Sequence, residues 1–408
     1  MTQSGPVNGV KGVCCLSYLQ LFHPISGTCI DYMHSVLEGV VKSLFTSWFS
    51  QESHDNKYSL RCFMQTIDSR LLSIQPPKYV PTAPRSIYTW KTWRAHEYLS
   101  FLLYYSLPIF ADIMDDEQLQ HLTKLCIFME ILLSREIRLK ELECAETLII
   151  NFVKDYSELY SESSMLSGVH ELLHLVDCTK QFGPLNYINC FQFEELNRKV
   201  VGLIHGRDLL GEEFIKLFSL IQNLSTTYSH IPQSSKFNLF IKNHMKFKTS
   251  NKKRLHKASE NFKLSCPVAE LDNTSIREVI RKKFNINDEV IDGLDFFNKV
   301  DVNGILYTSN SVKTKFCDSC FVNENNKFGC TEYFFVLNDT HYTVARKIYR
   351  LFSPFSSEQI DSPASSLHLC YISEDFSVEE VNKIKKVALI KFDNKCYVSN
   401  YSTSHLFS

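Results

Sequence analysis

Residues 30–49 read Ile30-Asp31-Tyr32-Met33-His34-Ser35-Val36-Leu37-Glu38-Gly39-Val40-Val41-Lys42-Ser43-Leu44-Phe45-Thr46-Ser47-Trp48-Phe49. The apolar positions Met33, Val36, Leu37, Val40, Val41, Leu44, Phe45, Trp48 and Phe49 recur at i, i+3, i+4 and i+7, a series that only a helix gathers on one face. Asp31 stands where an N-cap would. The same period returns over 63–74, 90–105, 117–133, 139–160, 164–178, 194–203 and 211–224. Pro76-Pro77 stops the second helix, because the residue before a proline is pushed out of the α region, and Gly183-Pro184 breaks the 164–178 helix. Up to about residue 230 the chain is expected to be nearly all α.

Farther along, short β-rich runs at 304–309, 333–337, 342–351, 367–372, 387–392 and 396–401 are separated by Asn, Asp, Ser and Gly. The fold class is therefore expected to be α+β: a mainly α-helical region 1–230, a basic linker 231–290 and a small β-rich C-terminal domain 291–408. The 408 residues are 44% hydrophobic, 22% charged and 13% aromatic, which excludes disorder as the main state. Lys+Arg number 44 against 45 Asp+Glu, so binding to a polyanion needs a local patch rather than the summed charge of -1. Eight Lys/Arg fall between Lys236 and Lys257 with no acidic residue, interleaved with Phe237, Phe240 and Phe247. A solvated linker, an import signal around Asn251-Lys252-Lys253-Arg254 and a phosphate-backbone contact all fit that stretch. No apolar run reaches the ~18 residues of a membrane span and no signal-peptide pattern opens the chain, so a soluble, nuclear or cytoplasmic and not secreted protein is expected. The 14 cysteines are scattered, as in a reducing compartment.

Three groups have the residue types for metal chemistry. His170-Glu171-Leu172-Leu173-His174 is H-E-x-x-H on an expected helix, which puts two imidazoles one turn apart. With Glu194 as third ligand and Glu171 activating water, it would make a zinc metallopeptidase; against this stands a pair of polar residues beside the stripe Leu172, Leu173, Leu175. Asp31 and His34 have D-x-x-H spacing, which an N-cap followed by a surface histidine also explains. Cys317-Asp318-Ser319-Cys320, with Cys330 and His341, lacks a paired second half and alternates like a strand. Gly5, Gly9 and Gly12 lack the strand that a phosphate loop requires.

Several segments in order resemble the C-terminal half of CACTA-type (En/Spm-like) DNA transposases and their domesticated relatives. They are Gly9-Val10-Lys11-Gly12, Ile30 through Val40, Ile67-Asp68-Ser69-Arg70-Leu71-Leu72-Ser73-Ile74, Pro84-Arg85-Ser86-Ile87, Leu102-Leu103-Tyr104-Tyr105-Ser106-Leu107-Pro108 and Phe193-Glu194-Glu195-Leu196-Asn197. The likeness covers about residues 8 to 225, with a looser echo at Val302-Asn303-Gly304-Ile305-Leu306-Tyr307.

The resemblance implies a ribonuclease-H-like transposase core interrupted by a helical insertion, with three carboxylates holding two magnesium or manganese ions. Glu194 would match the last carboxylate, and Asp31, His34, His170 and His174 would share a structural zinc. The first two aspartates of such enzymes lie upstream of the region matched here, so one glutamate would be left and autonomous strand transfer is not expected. The family carries an apolar residue where Glu171 stands, which weighs against the peptidase. The expected partners are DNA and a related transposase subunit or a second copy, with Arg85, Lys91, Arg94, Lys252, Lys253 and Arg254 as phosphate contacts.

Overall fold

The computed structural model describes residues 15–24, 26–51, 57–160, 162–202, 204, 210–230, 232, 235–236, 256–257, 262–268, 271, 273–312, 314–352, 354–355 and 366–399. The segment Met33–Val41 is a π-helix that continues as α1 (Lys42–Phe49). All nine apolar side chains of the 33–49 series are at most 2% exposed. Phe45 is the centre of an aromatic nest, with Trp48, Phe49, Trp90, Trp93, Tyr98 and Phe101 rings at 5.0 to 6.0 Å between centroids. Edge-to-face pairs of this kind add about 0.5–1.5 kcal/mol each beyond their burial.

Around this helix pack α2 (Met64–Ser73), α3 (Ala95–Ser100), α4 (Ser106–Phe110), α5 (Asp116–Leu132) and α6 (Leu139–Tyr160). Asp115 caps α5 by accepting the Gln118 N–H at 2.8 Å. Buried residues on every side make α5 the central rod of the body. The stretch 90–105, expected as one helix, is instead a 3-10 turn Ile87–Thr92, then α3, then a π-helical run Phe101–Tyr105. Glu97 restarts the helix by accepting the Arg94 N–H at 2.8 Å, and Pro108, which lacks an N–H, stands just beyond the π run. The 164–178 helix is likewise divided into α7 (Ser167–Glu171), a 3-10 turn Leu172–His174 and α8 (Leu175–Phe182). Two more helices follow, α9 (Phe191–Val201) and α10 (Leu210–His230).

The C-terminal part is an 11-stranded sheet in which every pairing is antiparallel, so the architecture is α+β. Its strands are β1 (His256–Lys257), β2 (Phe262–Pro267), β3 (Phe296–Val302), β4 (Ile305–Thr308), β5 (Cys320–Asn323), β6 (Phe328–Leu337), β7 (Thr340–Phe352), β8 (Leu367–Glu380), β9 (Ile384–Lys386), β10 (Ala388–Phe392) and β11 (Lys395–Ser399). The main path runs β1-β2-β3-β6-β7-β8-β11-β10. Two-residue turns with positive φ join the hairpins: Asn303 and Gly304 (52° and 85°), Asn338 and Asp339 (50° and 59°), and Asp393 and Asn394 (46° and 62°). Asn, Asp and Gly tolerate that conformation, which matches the right-handed twist of the strands.

The sheet takes in more chain than the sequence assigned to it. Segments placed in the linker 231–290 form β1, β2, α11 (Thr274–Phe284) and α12 (Asp288–Asp292). Ile276, Ile280 and Ile291 of the two helices pack on Phe296, Phe335 and Val344 of the sheet. A dense run of Arg277, Arg281, Lys282 and Lys283 on the open side of α11 hides this narrow apolar stripe in the sequence.

Helical body and sheet share one core, since Leu367, Ala388, Ile390, Phe392 and Tyr397 belong to the same buried cluster as α1 and α5. Arg70, 8% exposed, fastens the seam: its guanidinium donates to Asp112 at 2.6 and 2.9 Å, to the Ile109 carbonyl at 2.8 Å and to Asp393 of the β10–β11 turn at 2.6 Å. Glu130 accepts from the Ser366 N–H and hydroxyl, both at 3.0 Å. Among the described residues no helix is long and apolar enough to cross a membrane.

Replacing Arg70 by Ala is expected to cost about 3 kcal/mol in urea unfolding, near the low end for breaking a buried pair because both carboxylates keep water. The Arg70 hydrogen bond holds Asp112 down to about 2. Its contribution is therefore complete above the ordinary value of 3.8 and lost as pH falls through about 2, an acid loss that Arg70→Ala should flatten.

Candidate functional site

Asp31 ties the first helix to α9. Its Oδ1 accepts the Met33 N–H at 3.3 Å and the Cys190 N–H at 3.0 Å, and its Oδ2 accepts the His34 N–H at 3.2 Å. The expected N-cap is thus present, and the same carboxylate also caps the approach to α9. His34 Nδ1 lies 2.5 Å from Asp31 Oδ2, and His34 Nε2 lies 3.5 Å from Glu194 Oε1 in the first turn of α9. Tyr32, fully buried, meets the Phe191 ring edge-on at 6.1 Å and sets the angle between the two elements. His34 sits on the π-helical run, a form that concentrates at functional sites.

The charges follow from these contacts. The hydrogen bond to Asp31, with the nearby Asp31, Glu194 and Glu38 charges, outweighs partial burial and raises the His34 pKa. Burial, then the Asp31 charge, raises the Cys190 thiol. Asp31, His34 and Cys190 are the one group of three or more His, Cys, Asp or Glu among the described residues whose ligand atoms all lie within 4.8 Å of one another. One oxygen, one imidazole nitrogen and one sulfur suit a borderline metal such as zinc, at about 2.0–2.3 Å each after a small contraction. Binding would release protons from His34 and Cys190, so affinity must rise with pH.

His170 and His174 do come together, with 3.2 Å between their Nε2 atoms. They sit on the neighbouring element: α7 crosses the first helix at Gly168, where a Cβ would lie 3.1 Å from the Ser35 carbonyl oxygen. The expected four-ligand centre is not assembled, because the ligand atoms of Asp31, His34, His170 and His174 do not share one 4.8 Å neighbourhood. A cavity of about 490 Å³ lined by Asp31, His34, Gly168 and Glu171 lies between the two elements instead. The peptidase arrangement is not assembled either, since Glu194 faces His34 and forms no such group with His170 and His174.

Of the expected phosphate contacts, Arg85 is already engaged. Its guanidinium forms a fork with Glu97 at 2.6 and 2.9 Å and donates to the Thr92 carbonyl at 2.9 Å. Lys91 and Arg94 are exposed, Lys91 resting over the Trp90 ring at 5.6 Å. Lys252, Lys253 and Arg254 lie outside the described residues. In the Cys317–Cys320 segment, Ser319 Oγ stands 3.2, 3.8 and 3.5 Å from the sulfurs of Cys317, Cys320 and Cys330. His341 is elsewhere, stacked on Phe262 at 4.2 Å, so the four do not make a metal centre. The Cys320 and Ser319 hydrogen bonds bring Cys317 down to about 6 in spite of burial.

Sequence reasoning missed Cys190. Its one signal is position, directly ahead of the Phe-Gln-Phe-Glu-Glu-Leu-Asn helix start that carries Glu194. No family model, curated protein or solved structure matches the chain.

Cobalt(II) titration should give a sulfur-to-metal charge-transfer band that Cys190→Ser abolishes and that weakens as pH falls and His34 stays protonated; a band that survives Cys190→Ser removes the thiol from the set. At pH 7, iodoacetamide should label Cys317 ahead of the buried Cys320 and Cys330, the rate dropping as pH falls through about 6.

Proposed function

We propose that this chain is a transposase-derived protein of CACTA type that binds DNA in the nucleus, together with a related transposase subunit or a second copy of itself, and does not carry out strand transfer with its own residues alone. The observation that carries this reading is the meeting of two resembling segments far apart in sequence, Ile30 through Val40 and Phe193 through Asn197, where His34 Nε2 stands 3.5 Å from Glu194 Oε1. In a ribonuclease-H-like transposase Glu194 would be the last metal carboxylate. Among the described residues no three carboxylates form a compact group, and a two-metal mechanism needs several to grip both ions on the attacking and leaving oxygens. Binding is the activity that remains. In this reading the Asp31, His34 and Cys190 set holds a structural zinc that fixes α9 against the first helix.

The partner side of the reading is supported by the helix that carries Glu194. None of the residues of α9 is buried, and Phe193, Leu196 and Val201 are 66, 54 and 65% exposed. In α10, Leu210, Ile215 and Leu220 are also exposed, at 47, 64 and 55%. Large apolar side chains exposed in this number along a helix suit a face that a protein partner covers.

Fluorescence anisotropy with a labelled duplex over a salt series tests the DNA part. Affinity is expected to fall steeply with salt, and the Lys252→Ala, Lys253→Ala, Arg254→Ala triple variant should reduce the log–log slope by about 3. Glu194→Ala should leave that binding unchanged. Magnesium- or manganese-dependent nicking or joining of the duplex, lost in Glu194→Ala, would overturn the proposal.

A further inference from the structure

A second cavity, of about 650 Å³, opens where the helical body meets the sheet. Lys78, from the segment after α2, Arg135, after α5, and Lys385 and Lys386 of β9 all line it, and no carboxylate does. The four cations are not equivalent. Lys386 is 9% exposed and is spent on the wall, with its ammonium 2.8 Å from Asp318, itself 2% exposed. Asp318 Oδ1 also accepts the Lys78 main-chain N–H at 2.9 Å, and the Cys317 N–H donates to the Pro76 carbonyl at 2.9 Å. The rim is therefore rigid where Lys78 leaves it, while the Lys78 ammonium is not consumed in holding it.

Lys78, Arg135 and Lys385 are exposed, and none of their charged groups has an ionic or hydrogen-bonding partner among the described residues. Burial lowers the Lys386 pKa against the pull of Asp318, and the Lys78 charge adds a smaller push in the same direction as burial. Three unpaired cations around one concavity repel each other, and a ligand with closely spaced negative charges removes that repulsion while releasing its own counterions. A single small anion would neutralise one of them. A sugar-phosphate chain presents charges in series, and its sugars can rest on Ile305 at the tip of the β3–β4 hairpin, 52% exposed.

We propose that this junction cleft binds the sugar-phosphate backbone of a nucleic acid, with Lys78, Arg135 and Lys385 as its phosphate contacts. The proposal rests on the DNA-binding reading above and gives it a contact surface on the folded body, in place of the engaged Arg85. It is tested with the full chain carrying Lys78→Ala, Arg135→Ala and Lys385→Ala together, and with a control carrying Lys263→Ala, Lys327→Ala and Lys347→Ala. Because Lys78 holds Asp318 through its main chain, the alanine leaves that bond intact, and unchanged thermal melting checks that the fold is kept.

The cleft variant is expected to bind the labelled duplex at least ten times more weakly than wild type at low salt, with a slope smaller by about 3, and the control is expected to match wild type. If wild type binds DNA with a steep salt dependence and the cleft variant binds identically, the cleft assignment is overturned and the DNA-binding reading stands. If wild type binds neither duplex nor single-stranded DNA, that reading fails and the cleft assignment falls with it. If magnesium-ATP or inorganic pyrophosphate binds wild type through these three residues while DNA does not compete, the cleft takes small polyphosphates and the backbone assignment is overturned.

Discussion

Burial of the helix that starts at Met33 is the constraint on which the remainder rests. Nine apolar side chains on one side of it are at most 2% exposed, and no single neighbour is large enough to cover them. The 3-10 turn Ile87–Thr92, α3 and the π run Phe101–Tyr105 supply the rings that enclose Phe45, and α7 approaches closely enough for Gly168 to face Ser35. Close packing of this density resists change in volume or angle, so the polar residues at the start of the helix have a fixed base. Asp31 and His34 are held at that start, which is why α9 can dock against them with a single carboxylate.

The same core continues into the sheet, and this gives the seam its character. Apolar contacts from Leu367 to Tyr397 hold the two parts together, while Arg70, Glu130 and Asp318 satisfy polar groups that the contact removes from water. A buried arginine with a forked carboxylate is stable only when its remaining donors also find acceptors, and the Ile109 carbonyl and Asp393 provide them. Away from these fixed pairs the two surfaces diverge. The space left between them is the cleft in which Lys78, Arg135 and Lys385 have no charged partner among the described residues.

Much of the element order was legible because the relevant forces are local. The 33–49 period, the Asp31 cap, the bounds of α5 and α6, and the strands near 333–337, 342–351 and 387–392 all depend on neighbouring residues and turn chemistry. The π widening of 33–41, the break at Leu172–His174 and the membership of α11 in the sheet were not legible, since each is decided by what packs against it. For the site, Asp31, His34 and Glu194 were recognisable as a set of polar residues at spaced positions, and their convergence is a tertiary fact. Charge was legible and its availability was not: Arg85 and Lys78 look alike in sequence, yet Glu97 occupies one and, among the described residues, no partner occupies the other.

The amino-acid sequence by itself determined a helical first part, a β-rich second part, the lack of an overall charge bias and the residue types able to bind metal or phosphate, because periodicity and composition act over a few residues. Tertiary structure alone decided that Cys190 joins Asp31 and His34, that His170 and His174 do not share a 4.8 Å group with Asp31 and His34, and that three cations from separate segments line one cavity. The physical reason is that distances between segments far apart in the chain are set by which buried surfaces fit together, and that fit depends on the whole core at once.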